Sequence, residues 1–158
     1  MKGLRIILTA CGAPGAPGIL RSLRVNGERQ ISVMGTDMNR DAAGLMLVDC
    51  GNVVPSGESP DFIDAVLACC RTWEPIDAII PLSTYELAPI SRNRKVLESY
   101  GVRMAISEPD SLVCVNDKSK LYHELRGSSV HLPQYVPVSD IGQFEDAVAG
   151  LGYPLNPV

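Results

Sequence analysis

Short, nearly continuous apolar runs alternate along the chain with segments whose apolar residues recur at helical spacing. The runs predict five β-strands, over residues 4–9, 31–36, 52–55, 76–81 and 102–106. Strands without regular polar alternation are typical of a parallel sheet that is buried on both faces. Because helical segments separate these strands, the pattern predicts an α/β fold, a Rossmann-like parallel sheet with helices on both faces.

Capping signals predict where the helices begin and end. The predicted starts lie near Pro17, at Ser59-Pro60, near Glu86, at Ser107, at Asp117 and at Asp140. Ser59 is an N-cap candidate, and a proline follows it at the first helical position. Pro89 would damage a helix interior, so we expect it in the first turn of a helix that continues to Gly101. A C-cap at Asn26-Gly27 is expected to end the first helix.

Two pairs of residues have the spacing of a capping box: Ser107 with Asp110, and Asp140 with Gln143. The second pair opens the last predicted helix. Its apolar residues are expected to face inward: Phe144, Val148 and Leu151.

The first strand leads into a glycine turn. Its three glycines are Gly12, Gly15 and Gly18. Their spacing is G-x-x-G-x-x-G, whereas dinucleotide-binding folds use G-x-G-x-x-G. Asp37 follows Gly18 by nineteen residues, about where such folds place a ribose-binding acid. Pro14 and Pro17 remove two N–H groups from a turn that would need donors to hold a pyrophosphate. The turn therefore indicates the architecture more strongly than it indicates a dinucleotide ligand.

A ligand of an open parallel sheet binds beyond the carboxyl ends of the strands. The candidate substrate-binding residues at those ends are Gly12, Gly15, Asp37, Thr84 and Glu86. Each also has a structural interpretation. The glycines, Gly18 included, permit close backbone approach, to a ligand or to a neighbouring helix. Asp37 would end the second strand through a side-chain turn, Thr84 would be only an N-cap, and Glu86 would stabilise a helix dipole.

Charge and length exclude several classes of protein. The chain has 158 residues and a formal net charge of −4, which disfavours a nucleic-acid-binding surface. No apolar run approaches the ~20 residues of a membrane span, and no secretory signal is recognisable. We therefore expect a cytoplasmic protein with neither nucleic acid nor membrane as a partner.

Cysteine and histidine positions do not suggest a metal site. The five cysteines lack C-x-x-C spacing, which predicts reduced thiols in place of a disulfide framework or a zinc site. At least one of Cys69 and Cys70 is expected to be a small core residue. His123 and His131 stand apart, without metal-ligand spacing. The cluster around Arg92 and Arg94 is expected at the surface.

Five segments, in this order, resemble an ATP-grasp ligase of the carbamoyl-phosphate-synthase large-chain-like branch. They are TACGAPGAPGILRSLR, VMGTDMN, DAIIPLSTYELAPISRNR, ISEPDSLVCVNDKSKLYHEL and GYP. The resemblance implies that residues 1–115 form the small domain that precedes the ATP-grasp fold. In that family, this domain helps to form the carboxylate-substrate side of the active site and does not bind a dinucleotide.

The resemblance also implies that residues 116–158 are the truncated start of an ATP-grasp domain. Lys118 matches a lysine that contacts nucleotide phosphate in many members. A second ATP lysine, a glycine-rich lid and the Mg²⁺ ligands would follow GYP, but no lysine follows Lys120. The full-length protein is expected to use ATP and Mg²⁺ to phosphorylate a small-molecule carboxylate, and an amine or ammonia would then attack the acyl phosphate. The fragment alone is expected to be inactive and to bind neither cofactor tightly.

Two other hypotheses remain open. The glycine turn and Asp37 favour an NAD(P)-binding oxidoreductase or epimerase, although no tyrosine is followed by lysine four positions later. A non-catalytic interaction module is the third hypothesis. Apolar faces within residues 115–158 would then drive self-association, for example as a homodimer, or leave a poorly ordered tail.

Overall fold

The fold is that of a computed structural model, which describes residues 2–25 and 27–152. The chain divides into two compact units, one over residues 2–112 and the other over 113–152 of the described part. Each unit is described by itself below. The predicted GYP segment lies partly outside the described residues. Asn26 of the predicted C-cap also lies outside them.

The first unit contains a five-stranded parallel sheet. Its strands are β1 (Leu4–Leu8), β2 (Ile31–Asp37), β3 (Cys50–Val53), β4 (Ala78–Ile80) and β5 (Arg103–Met104). They lie in the order β3-β2-β1-β4-β5, and every pair is parallel. Leu8 at the end of β1 pairs with Gly35 on one side and with Ile80 on the other. The direction of strand succession therefore reverses between β1 and β4, where open α/β sheets form their ligand crevice.

Helices cover both faces of this sheet, as the sequence predicts. The helices of the first unit are α1 (Ala16–Arg24), α2 (Phe62–Thr72), α3 (Thr84–Arg92) and α4 (Arg94–Ser99), with a 3₁₀ turn at Ala43–Met46. Leu20 of α1 packs with Leu8 and Val33 on one face. On the other face Ile7, Met34 and Ile79 pack with residues of α2, α3 and α4, which include Phe62, Val66, Ile90 and Leu97. Burial on both faces explains the nearly continuous apolar runs.

The start predicted for α2 is wrong by two residues. Ser59 and Pro60 form a turn, in which the Ser59 carbonyl accepts the Phe62 N–H at 3.1 Å. The Ser59 hydroxyl accepts the Asp61 N–H at 3.3 Å. The helix begins at Phe62, whose side chain is fully buried in the core and fixes the register.

The bounds predicted for α3 are also wrong. The helix begins at Thr84 and contains Pro89 in its interior, and Ser83 caps it by accepting the Tyr85 N–H at 3.3 Å. It ends before Asn93, whose side-chain amide donates to the Pro89 carbonyl at 2.9 Å. The Pro89 carbonyl is thus shared by the backbone N–H and the side-chain amide of Asn93, and the one predicted helix is divided at this residue into α3 and α4.

Arg94 is half-buried, which corrects the expectation that it lies at the surface. Its guanidinium donates to the Ile106 carbonyl at 2.7 Å and pairs with Glu108 at 3.4 Å. All five cysteines are unpaired thiols, and Cys69 and Cys70 are both buried in the core.

The remaining helices are α5 (Pro109–Val115), α6 (Lys118–Leu125) and α7 (Ile141–Gly150). The capping-box start predicted at Ser107 is wrong, because α5 begins at Pro109. The predicted caps of the other two helices are confirmed. Asp117 accepts the Ser119 and Lys120 N–H groups, and Asp140 accepts the Gln143 N–H at 2.9 Å.

In α7 the predicted inward face is only partly correct, since Val148 and Leu151 are half-buried but Phe144 is 51% exposed. No helix in the described parts of the chain is long and apolar enough to cross a membrane.

Candidate functional site

The loop after β1 lies at the switch point of the sheet, and a backbone hydrogen bond holds it against the end of β2. The Cys11 N–H donates to the Thr36 carbonyl at 2.9 Å, which extends the β1–β2 ladder past the last paired residues. Ala10 has a φ of 50°, so the chain turns sharply here. Burial raises the pKa of the Cys11 thiol to about 11, and this thiol therefore stays protonated and unreactive near neutral pH.

Asp37 holds the glycine turn closed. One carboxylate oxygen accepts the Gly12 N–H at 2.6 Å, and the other accepts the Asn39 N–H at 2.9 Å. The second of these bonds is the side-chain turn that the sequence suggested as an alternative to ligand binding. A Cβ atom at Gly12 would lie 2.8 Å from the Asp37 carboxylate and 3.1 Å from the Ala42 methyl carbon, so only glycine fits without movement.

The other two glycines of the turn are not sites of close approach. A Cβ atom at Gly15 or at Gly18 would meet no atom within 4 Å. Gly15 directly precedes α1, and Gly18 lies in its first turn. The expected close backbone approach is therefore correct for Gly12, where the neighbour is Asp37. At Gly15 and Gly18 no neighbouring helix comes close, and close approach of a ligand there stays a prediction.

Glu86 is a buried carboxyl group at the start of α3, with only 5% of its surface exposed. The Thr9 hydroxyl donates to it, and so does the Ser83 N–H. Burial, the largest effect, raises the pKa of Glu86, and the nearby Asp37 carboxylate raises it further, whereas the two hydrogen bonds lower it. With Ser83 as N-cap, Glu86 occupies the third helical position of a capping box, a spacing that was readable in the sequence.

A cavity of about 270 Å³ lies beyond the carboxyl ends of the strands. Three acidic residues line it: Asp37, Glu58 and Glu86. Its lining includes no basic residue among those the structure describes. The loop at 55–58 forms one wall, because Gly57 lies directly against α3. A Cβ atom at Gly57 would be 2.7 Å from the Tyr85 carbonyl oxygen and 2.9 Å from Glu86 Cγ.

The cavity brings together some of the predicted site residues and leaves out others. Asp37 and Glu86 line it, whereas Gly12, Gly15 and Thr84 do not. Thr84 is the exposed first residue of α3, and Ser83 is the N-cap in its place, so the N-cap interpretation of Thr84 is wrong. Sequence reasoning missed Glu58, Ser83 and Tyr85. Of these three residues, only Ser83 was predictable from the local sequence, because it has capping-box spacing with Glu86.

Lys118 belongs to the second unit, where it is the exposed first residue of α6. The adjacent Asp117 carboxylate pairs with Lys120 at 3.7 Å. No group of three or more His, Cys, Asp or Glu side chains in residues 2–25 and 27–152 is arranged to hold a metal ion. Among the described residues, Lys118 is therefore a candidate for contact with a nucleotide phosphate, and no cluster of side chains is arranged to hold a magnesium ion.

Comparisons with known proteins agree with this architecture. One solved structure, the biotin carboxylase domain of a single-chain bacterial carboxylase, matches with a TM-score of 0.55 and 14% identity. The match covers 94% of this chain and 34% of the other, so this chain spans about a third of that structure's length. At this identity the likeness concerns the fold. No curated protein matches.

A protein-family model gives the more specific result. The model described as "PylC-like, N-terminal domain" matches residues 6–105, which include the whole sheet except the first two residues of β1. The match and the shared fold confirm the resemblance to the N-terminal domain of an ATP-grasp ligase. The chain belongs to the family of PylC-like N-terminal domains.

Proposed function

We propose that this chain forms the substrate side of a carbamoyl-phosphate-synthase-like ATP-grasp ligase. The intact enzyme would use Mg·ATP to convert a carboxylate into an acyl phosphate, and an amine or ammonia would then displace the phosphate. Family membership and the biotin-carboxylase-like fold support this proposal. In the intact enzyme, ATP and Mg²⁺ would supply the phosphoryl group and neutralise its charge.

The acidic cavity is the observation that carries the proposal. Glu86 is almost fully removed from water, and the described residues that line the cavity with it include no basic side chain. A buried carboxylate gains stability from a cation, whereas a ligand carboxylate would be repelled by Asp37, Glu58 and Glu86. We infer that the cavity receives the ammonium group of an amine substrate, and that the carboxylate to be activated stays outside it.

Binding of a nicotinamide dinucleotide is less consistent with the geometry of the glycine turn. A pyrophosphate would need the Gly12 N–H, and a ribose would need the Asp37 carboxylate. These two groups are bonded to each other at 2.6 Å, and the second Asp37 oxygen is taken by Asn39. The oxidoreductase hypothesis therefore has a residue pattern in its favour, but the Gly12 N–H and both Asp37 oxygens of that pattern already form hydrogen bonds within the chain.

Lys118 keeps the role that the resemblance implies, contact with a nucleotide phosphate. Its exposure leaves the ammonium group free to meet a ligand, and the capping aspartate beside it fixes the helix start. The other ATP and magnesium ligands would come from the rest of the intact enzyme.

Trapping of the acyl phosphate tests the proposal. The intact ligase that contains this domain would be screened against amino acids and dicarboxylic acids, with ATP and Mg²⁺ present. We expect ADP release only when a carboxylate is added, and a hydroxamate when hydroxylamine replaces the amine. ADP release that is independent of any carboxylate, or saturable NAD(P) binding without ADP release, would contradict the proposal.

A further inference from the structure

Two thiols of the first unit, Cys50 and Cys69, border the core between the sheet and α2, and neither lines the acidic cavity. Cys50 is the first residue of β3 and pairs with Met34 of β2. Paired residues of neighbouring parallel strands point to the same face of a sheet, and Met34 is buried in the core that α2 covers. Cys69 of α2 belongs to that core, and Cys50 packs against it from the edge strand.

The two cysteines also lie at the same height along the sheet. Because α2 connects two parallel strands, it runs antiparallel to them. Trp73, which caps the end of α2, lies against Arg5 near the start of β1, with the guanidinium carbon 4.3 Å from the ring centroid. Cys69 precedes Trp73 by four residues, a helical rise of about 6 Å. The row of the sheet two residues beyond Arg5, about 6.6 Å along the strands, contains Cys50.

The protonation of Cys69 agrees with this placement. Burial, the largest effect, raises the pKa of its thiol, and the Cys50 thiol raises it further, whereas a hydrogen bond to its own backbone lowers it. An electrostatic effect of one thiol on another requires that the two lie close together. Cys69 is 7% exposed, while Cys50 is half-buried on the edge strand, where a small solute can reach it.

The other cysteines of the first unit are less suited to react with Cys50. Cys11 lies on the other face of the sheet, where its thiol donates to the Leu8 carbonyl at 3.1 Å. Cys70 is buried, and burial raises the pKa of its thiol to about 11. Consecutive side chains of a helix point about 100° apart, so Cys70 does not share the direction of Cys69. Cys69 is therefore the partner that the fold provides for Cys50.

We propose that Cys50 and Cys69 form a reversible disulfide when the chain meets hydrogen peroxide. The peroxide oxidises the Cys50 thiol to a sulfenic acid and is itself reduced to water. The Cys69 sulfur then attacks the Cys50 sulfur. An S–S bond forms, the S–O bond breaks, and the hydroxyl group leaves with the Cys69 proton as a second water. Two molecules of a small thiol reverse the step by exchange and are oxidised to their own disulfide.

The disulfide closes a ring over residues 50–69, which contains the loop at 55–58. This loop forms one wall of the acidic cavity. Oxidation therefore restrains that wall without adding a group to the cavity. The inference does not depend on which ligand the cavity receives, so it stands or falls separately from the proposed function.

Mass spectrometry of the folded, fully reduced chain after treatment with hydrogen peroxide tests the proposal. The product should have lost two hydrogen atoms, and N-ethylmaleimide should label three of its five cysteines after unfolding. Cleavage after Glu58 with a glutamate-specific protease separates Cys50 from Cys69, so the two peptides should stay joined until dithiothreitol is added. A sulfinic acid at Cys50 without joined peptides, or a link between two chains, would overturn the proposal.

Three variants identify the sulfur atoms. Cys50→Ser and Cys69→Ala should each abolish the cross-link. Cys70→Ser is the matched control, because it removes the neighbouring buried thiol, and it should form the cross-link as the native chain does. A cross-link that persists in Cys50→Ser, or one that is lost in Cys70→Ser while the native chain joins Cys69 to Cys70, would overturn the proposal. Hydrogen exchange at residues 55–58 should slow on oxidation of the native chain and stay unchanged in Cys50→Ser.

Discussion

At the scale of single residues, Glu86 is a carboxyl group that the fold removes from water while surrounding it with hydrogen-bond donors and further acids. Burial raises its pKa in the folded chain above the ordinary value of 4.5, which the unfolded chain would show. The folded state therefore binds this proton more tightly. The stabilising contribution of the group is complete below the ordinary pKa and is lost as the pH rises through the raised one.

We predict that Glu86→Gln removes this part of the pH dependence, because glutamine keeps a hydrogen-bond acceptor for Thr9 but cannot ionise. Urea unfolding from about pH 4.5 to neutrality would show the variant gaining stability relative to the native chain. Parallel stability curves for the two proteins would contradict this explanation of the raised pKa.

Gly12 and Gly18 offer a matched pair for the glycine turn. Gly12→Ala would push a methyl group into the Asp37 carboxylate and Ala42, at a cost of about 1–3 kcal/mol of unfolding free energy. Gly18→Ala enters open space within a helix and should stabilise the chain by about 0.5–1 kcal/mol. Chemical denaturation measures both changes. Equal effects would mean that the closed turn is not under steric constraint.

At the scale of elements, the start of α3 determines where Glu86 and Tyr85 point. Ser83→Ala removes the hydroxyl that caps the helix and should cost about 1 kcal/mol of unfolding free energy. Thr84→Ala changes the exposed neighbouring residue and should alter it by less than about 0.5 kcal/mol. If the larger loss followed the Thr84 change, the cap would belong to Thr84, as first expected from the sequence.

Local sequence patterns correctly predicted the strands that are buried on both faces and two of the helix caps. β1 and β2 are within one residue of their predicted bounds, because strands covered on both faces have nearly continuous apolar runs. The caps at Asp117 and Asp140 were predictable since they depend only on neighbours in sequence. The same reasoning predicted the parallel sheet with helices on both faces.

Predictions failed where distant contacts decide the outcome. Pro89 is tolerated inside α3 because the helix packs through Ile90 into the core, and Asn93 then ends it. Of the candidate site residues, Asp37 and Glu86 follow from the rule that ligands bind at the carboxyl ends of strands. Glu58 lines the cavity because Gly57 allows the loop at 55–58 to lie against α3. No local sequence pattern predicts this contact.

At the scale of the whole molecule, residues 113–152 carry exposed apolar side chains. They are Val113, Val115, Val130, Val136, Val138, Ile141 and Phe144. We predict that the isolated chain self-associates through this surface, which agrees with the homodimer hypothesis. Sedimentation velocity should show that association weakens at least about tenfold in an Ile141→Asp/Phe144→Asp variant.

Val25→Asp is the control for this prediction, because Val25 is 75% exposed but lies in the other unit. It should leave association unchanged. A native chain that sediments as a monomer at all concentrations would show that this surface does not drive self-association.

The central claim is that Glu86 binds the ammonium group of the amine substrate and has no part in binding nucleotide. Steady-state kinetics of the intact ligase with Glu86→Gln tests it most directly. Loss of a charge-assisted hydrogen bond should raise KM for the amine about tenfold or more, while KM for ATP stays within about twofold. An unchanged KM for the amine, or an equal rise in KM for ATP, would contradict the claim.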